Sequence, residues 1–275
     1  MRNSDQEYII HYYFAKLARY AAQVKKDFSG KSIHLFRVDF KKLRAFLRLL
    51  SSATPAPGQL KFPHKFKKMY SLMGKIRDRQ LCLKRIKESE NAREGRQSNK
   101  THLLKKDVKE LTARRNAFLT KREFKEIEKS IIELLPGIPA DTLVKNFFHQ
   151  KLQVISEIAV RGDYKDGELH DIRKSIKDII YITRIFRDDL KTKIPFVFWN
   201  QDQLKKVEGL SHKLGLFNDA CIALSLLQPA NIEPDAIEKE RLKAIRQTWF
   251  LEKRRLKKEI LDELRAKNSE LTILN

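Results

Sequence analysis

Cysteine, glycine and proline are all scarce in this chain, and each scarcity narrows what it can be. The two cysteines, Cys82 and Cys221, sit in apolar stretches with helical spacing, so a disulfide framework is not indicated. Nine glycines and eight prolines are few for 275 residues. They cluster at Ser29-Gly30, Pro55–Gly58, Pro136–Pro139, Arg161–Asp163, Ile194-Pro195 and Pro229–Pro234, leaving long stretches without a breaker. No uninterrupted apolar run approaches the roughly 18 residues of a membrane span. The opening segment, MRNSDQEYIIHYY, lacks the apolar core of a signal peptide. The expectation is a reduced cytoplasmic protein with no membrane insertion.

Acidic residues are also short. Lys and Arg number 58 against 35 Asp and Glu, a net charge of +23. Such an excess repels itself in the compact state and points to an anionic partner: nucleic acid, an anionic membrane surface or polyphosphate. Hydrophobic residues, at 41%, are enough for a real core.

Strand-like alternation is rare, while apolar residues recur at helical spacing between the breaks. The fold class is therefore all-α. Eight helices are expected, at about Ser4–Asp27, Ser32–Ser52, Gln59–Ser89, Asn99–Leu135, Thr142–Arg161, Asp166–Leu190, Asn200–Leu227 and Glu233–Asn268, with Ser32, Asp141 and Asp166 as N-caps. Four precede the Pro-Gly-Ile-Pro break and four follow it. The two halves also share motifs in the same order. HLFRVDFKKLRAFLR from His34 matches HDIRKSIKDIIYITR from His170, LMGKIRD matches LGLFND, and LTARR matches LEKRR, at offsets of 136, 141 and 140 residues. The expected organisation is one unit over 1–275 made of two four-helix bundles, 1–135 and 136–275, related by a pseudo-two-fold axis.

On a helical wheel at about 100° per residue, His34, Arg37, Lys41, Arg44 and Arg48 fall within an arc of about 80°. Phe36, Phe40, Leu43, Phe46, Leu47 and Leu50 gather on another arc. The sixth helix repeats the layout. His170, Arg173, Lys177 and Arg184 form its stripe, with Tyr181 on the same face, and Ile180 stands where the first copy has Arg44. Solvated helix faces usually mix Lys with Glu, whereas His34–Arg48 carries no acid on its stripe. That favours a ligand over a solvated surface, and Arg suits phosphate through its planar fork.

These residues resemble the CHAD family, the conserved histidine α-helical domain. The resemblance is carried by His34-Leu35-Phe36-Arg37 with Lys41-Lys42-Leu43-Arg44, by His170-Asp171-Ile172-Arg173 with Lys177 and Tyr181, by the Gly-x-x-x-Asp pairs Gly74/Asp78 and Gly215/Asp219, and by duplication of the set, with Lys174 a further candidate binding residue. It covers essentially the whole chain. It implies two four-helix bundles and the binding of inorganic polyphosphate along a basic groove or pore between them, with polyphosphate granules as the candidate place of association. Lys42 aligning with Asp178, and Arg44 with Ile180, are departures that weaken the second stripe. Arg114, Arg115, Arg254 and Arg255 are candidates for the same surface, or solvated pairs.

Zinc needs three or four converging ligands, and neither His34 nor His170 has a His, Cys or Glu at i+3 or i+4, so no metal or cofactor is expected. The other five histidines show no partner pattern. Asp78 and Asp219 read either as carboxylates that orient a stripe arginine or as structural ion pairs. Catalytic motifs are absent: Gly30-Lys31-Ser32 has Lys25 where a phosphate-binding loop needs its first glycine, there is no His-Glu-x-x-His, and Glu126 and Glu128 are followed by Ser130 rather than the Lys of a tunnel triphosphatase. The expectation is a non-enzymatic polyphosphate binder. A nucleic-acid (RNA or DNA) binding protein is the alternative, disfavoured because only Tyr181 offers an aromatic ring for base stacking; weak nucleic-acid binding beside polyphosphate is also expected. If the halves are copies, their stripes face one shared groove.

Overall fold

The computed structural model describes residues 3–52, 60–91, 99–136, 140–161, 164–191, 201–228 and 236–271. Among these there is no strand. The helices are α1 (Asn3–Asp27), α2 (Gly30–Ser51), α3 (His64–Asn91), α4 (Asn99–Ala113), α5 (Lys121–Ile132), α6 (Ala140–Arg161), α7 (Asp166–Arg184), α8 (Gln201–Leu226) and α9 (Ala236–Leu271). The breaks expected at Pro55–Gly58, Gly137–Pro139, Gly162-Asp163, Ile194-Pro195 and Pro229–Pro234 fall outside the described residues, as do the expected helix starts at Gln59, Asn200 and Glu233.

Three expectations about helix ends are corrected. The stretch Asn99–Leu135 is not one helix. It breaks after Ala113, passes through a single 3-10 turn at Arg115–Ala117, and restarts at Lys121. Phe118 and Leu119 are buried at this corner, with Phe118 edge-on to Phe28 at 5.7 Å. Thr120 then caps α5 in a reciprocal box with Glu123, a Thr-x-x-Glu signature that was visible in the sequence. The N-cap of α2 is Ser29 rather than Ser32, whose N–H donates to the Ser29 hydroxyl at 3.2 Å. Neither Asp141 nor Asp166 is a cap: α6 already includes Asp141, and Lys165 precedes α7, its N–H bonded to Glu168. In addition, α7 ends at Arg184 and continues as a wider π turn over Ile185–Asp189.

The hinge between α1 and α2 is two residues long. Phe28 adopts a left-handed backbone (φ 50°), donates its N–H to Val24 O at 2.8 Å and buries its ring. Gly30 follows, and a Cβ there would lie 2.5 Å from the Arg77 guanidinium in its present position.

Neighbour relations repeat between the halves. α1 packs on α2, α2 on α3, α3 on α4 and α1 on α5; likewise α6 packs on α7, α7 on α8, α8 on α9 and α6 on α9. Between the halves α2 meets α7 and α3 meets α8. The main core is aromatic. Phe40 lies 4.6 Å from Phe62 and 5.3 Å from Phe66, and Phe66 meets Phe124 at 5.3 Å. Each such ring, fully buried, contributes roughly 1.5–3 kcal/mol. This core does not stop at residue 135: Val144, Phe148, Ile179, Ile182 and Phe186 belong to it. A second cluster joins Ile172, Ile176 and Ile180 to α8 and α9, and a third ties Cys82 and Ile86 of α3 to Ala223 and Trp249.

Replacing Thr120 with Ala removes the cap that restarts the chain after the corner. It should lower stability by about 1 kcal/mol, measured as a lower urea midpoint with an unchanged m-value.

Candidate functional site

The apolar arc of α2 is buried in the aromatic core, which leaves its cationic arc facing α3 and α7. Arg37 donates to the carbonyl of Tyr70 at 3.3 Å, and its guanidinium stacks over the Tyr70 ring at 4.6 Å. Gly74 makes this possible: a Cβ at that position would lie 2.2 Å from Arg37 Nη1. Arg44 reaches over the rings of Phe40 and Tyr70 at 5.7 and 5.8 Å. Tyr70 itself stacks on Phe40 at 4.2 Å. An aromatic shelf from the core thus carries two arginines.

Lys41 lies between them, half-buried. Burial pushes its ammonium down to about 7, helped by Arg37, Arg173, Arg44 and Lys177. Two of those four charges come from α7, so the stripes of α2 and α7 act directly on one another. Lys177 is held below its ordinary range by burial, then by Arg173 and Arg184, and lies 5.9 Å from the Tyr181 ring. Tyr181 is 7% exposed. Burial is the main reason its phenol is pushed up to about 12, against the opposing pull of Arg173. The ring expected to be open for stacking is therefore enclosed. Ile180 lies in the second core cluster.

The ends of the stripes are neutralised by acids from other helices, which a single wheel does not display. Arg48 bonds Asp178 at 2.9 Å, and Lys151 shares that carboxylate at 3.1 Å. Arg184 bonds Glu208 at 2.7 Å; within α7 itself the exposed Lys174 pairs with Asp171 at 2.7 Å. Lys42 lies over the Tyr13 ring at 5.7 Å. By contrast, Arg37, Lys41, Arg44, Arg173 and Lys177 have no carboxylate within salt-bridge distance among the described residues. The Nε atoms of Arg44, Arg173 and Arg184 are buried without a hydrogen-bond partner there. Buried donors are normally satisfied, and each one left alone costs about 1–3 kcal/mol.

At the N-terminal end of α2, His34 is held below its ordinary value by burial and by Arg77, Lys41 and Arg37. His170 shares a 3.1 Å hydrogen bond with Asn218. Burial raises Asp78 despite the opposing pull of Arg37, and Asp219 raises it further. Arg77 is lowered by burial and steadied by Asp219. The two Gly-x-x-x-Asp carboxylates therefore influence one another across the α3–α8 contact and line one cleft, and both act on Arg77. No group of three or more metal-ligating side chains occurs among the described residues, and no described helix is long and apolar enough to cross a membrane.

The family model for the CHAD domain matches residues 8–228. The chain belongs to the CHAD family. Its structure is similar to the crystal structure of the CHAD domain from the plant Ricinus communis, with a TM-score of 0.72 and 21% identity, covering 98% of this chain and 92% of that one. No curated protein matches the sequence.

Two residues of this CHAD domain's cationic centre escaped the sequence reading: Tyr70 and Arg77. Tyr70 is one helical turn before Gly74, and Arg77 lies inside the LMGKIRD motif. The i, i+4, i+8 spacing of Tyr70, Gly74 and Asp78 was a usable signal that they share a face. Arg114, Arg115, Arg254 and Arg255 are exposed. Arg115 lies over Phe28 at 5.7 Å and Arg255 pairs weakly with Glu259 at 3.8 Å. None of the four is among the charges that set the state of Lys41, Arg44, Lys177 or Tyr181. His11, expected to be incidental, shares a 2.7 Å bond with Glu128 across α1 and α5.

Because folding lowers the Lys41 pKa to about 7, the folded chain holds fewer protons than the unfolded chain between there and the ordinary lysine value of about 10.4. Stability therefore rises across that window, and the penalty is complete below it. Denaturation by urea should show this rise between neutral and alkaline pH. Lys41→Met should be the more stable protein at neutral pH and should lose part of the pH slope.

Proposed function

We propose that this CHAD domain binds inorganic polyphosphate along the facing cations of α2 and α7, without turning it over. One observation carries the reading: Lys41 of α2 is surrounded by Arg37 and Arg44 of its own helix and by Arg173 and Lys177 of α7. None of the five has a carboxylate at salt-bridge distance among the described residues. A polyanion supplies the missing counter-charge, and its oxygens offer acceptors to the unpaired Nε atoms of Arg44 and Arg173. Family membership supports the same ligand class. A polymer with regular charge and no bases asks only for cations at a steady spacing, and Arg presents a fork that matches phosphate. The halves 1–135 and 136–275 act in this reading as two related copies, each giving one stripe to one groove. The proposed setting is the cytoplasm, in association with polyphosphate granules.

Binding restores the proton that burial removes from Lys41. Affinity should fall as pH rises above about 7, because the bound state holds more protons than the free one. Titration calorimetry in buffers of different ionisation enthalpy measures that uptake.

Salt tests the electrostatics. With five contacts at the single-strand rate, log K against log salt should slope at about −3.5; a flat line is incompatible with the mechanism. Arg37→Glu with Lys41→Glu should cost more affinity than Arg173→Glu with Lys177→Glu, since Arg44 stands where α7 has Ile180. Long chains should bind far more tightly than chains spanning one stripe, through high effective concentration. Polyphosphate should displace RNA and DNA; displacement only in the opposite direction would favour a nucleic-acid binder.

A further inference from the structure

We propose that Asp178 sets the length of the polyphosphate footprint, its carboxylate standing in for a phosphate group between Arg48 and Lys151 and so ending the run of cations that the polymer engages. The inference rests on the reading that the α2–α7 centre holds polyphosphate, and names the residue that decides how much of the polymer is held.

The stripe of α2 does not run out of cations where the open charge ends. Arg48 lies one helical turn beyond Arg44 on the same arc. From Arg37 to Arg48 the stripe covers about 17 Å at 1.5 Å rise per residue. Lys151 brings a further cation from α6 to the same place. One carboxylate takes both. Arg48 Nη1 donates to the two oxygens of Asp178 at 3.2 and 2.9 Å, and Lys151 Nζ lies 3.1 Å from Oδ2. Cations converging on paired oxygens is the arrangement they would offer a phosphate. Here an oxyanion of the chain itself fills it.

A polymer cannot readily displace that group. Asp178 is 5% exposed and sits where α2, α6 and α7 meet. Its side chain is short, and cations from two helices hold it, so it has no path into water. Taking Arg48 and Lys151 from it would leave a buried carboxylate without a partner, a costly state. Glu208 is the contrast. It closes Arg184 at 2.7 Å, but its side chain is 34% exposed and its longer stem can turn outward. The first half has no counterpart to the stop. Its matching position is Lys42, whose ammonium lies over the Tyr13 ring at 5.7 Å. A phosphate chain that extends past Arg44 therefore meets a fixed negative charge contributed by the second half alone.

The test titrates the full chain and its Asp178→Asn variant with tripolyphosphate and with long-chain polyphosphate at several salt concentrations. Asn keeps the shape and drops the charge, which releases two cations to the polymer. For the long chain, log K against log salt should steepen from about −3.5 to about −5, at about −0.7 per added contact. Tripolyphosphate has too few phosphates to add contacts and should keep its slope. Asp178→Glu, which retains the charge, should keep the wild-type slope for both ligands. An unchanged slope in Asp178→Asn, or the same change for both ligands, overturns the inference. A second measurement needs no variant. In the wild-type chain, long-chain polyphosphate should protect Arg37 and Arg44 from phenylglyoxal, read by peptide mass spectrometry, and leave Arg48 as reactive as in the free protein. Protection of Arg48 overturns the inference even where Asp178→Asn does not fold. Wild-type protein that binds no polyphosphate at low salt removes the binding reading itself; wild-type protein that binds, with no change of slope in Asp178→Asn, removes this inference alone.

Discussion

Packing α2 against α7 sets like charges against each other at the junction of the two halves, and much of the surrounding structure answers that repulsion. Like charges held this close in a poorly solvated contact repel. Arg37, Lys41, Arg44, Arg173 and Lys177 share the α2–α7 contact. The opposing force comes from the other arcs of the same helices. Phe36, Phe40, Leu43, Phe46 and Leu47 on α2, and Ile172, Ile176 and Ile179 on α7, are all at most 3% exposed. The apolar faces hold the helices in place, and the charged faces meet as a consequence. Part of the repulsion is relieved by proton loss at Lys41, the amine with the least water and the most cations around it.

The arginines are fixed by groups that leave their charge uncancelled. Arg37 is held by a carbonyl and a ring of Tyr70, and by the space that Gly74 provides. Arg44 rests on Phe40 and Tyr70. A ring face attracts a guanidinium without neutralising it, so the forks stay available to an anion. Further along, Asp178 and Glu208 do neutralise Arg48 and Arg184. The site is thus bounded: a charged centre between ends closed by salt bridges. The same bonds tie α2 to α7 and α7 to α8.

The fold class and the place of most helices were legible because apolar periodicity survives in every segment. The corner at Arg114–Thr120 was not read, since its apolar residues Phe118 and Leu119 continue the helical spacing while their burial depends on Phe28 of the α1–α2 hinge and Met69 of α3. The cationic stripe was legible on α2 because His34, Arg37, Lys41, Arg44 and Arg48 belong to one helix. Which of them stay unpaired was not, because Asp178 and Glu208 are distant in sequence and reach the stripe only through packing. Tyr181 misled for the same reason. Its position on the wheel is cationic, yet it is buried within the main core cluster, so a residue that looked like an exposed ring is an enclosed one.

The departures of the second half from the first explain how the two stripes come so close. A faithful copy of α2 would carry Lys at position 178 and Arg at 180. Lys at 178 would stand against Arg48 and Lys151, which the carboxylate of Asp178 now binds at 2.9 and 3.1 Å. Arg at 180 would force a guanidinium into an apolar cluster where Ile180 is 1% exposed, and an unpaired charge buried there costs several kcal/mol. With Asp178 and Ile180 at these positions, α7 carries fewer cations than α2 and can lie against it. The second stripe carries fewer cations taken alone. Paired with the first, it is what permits Arg173 and Lys177 to reach the charge field of Lys41, so the inequality of the halves is a condition of their sharing one cationic centre.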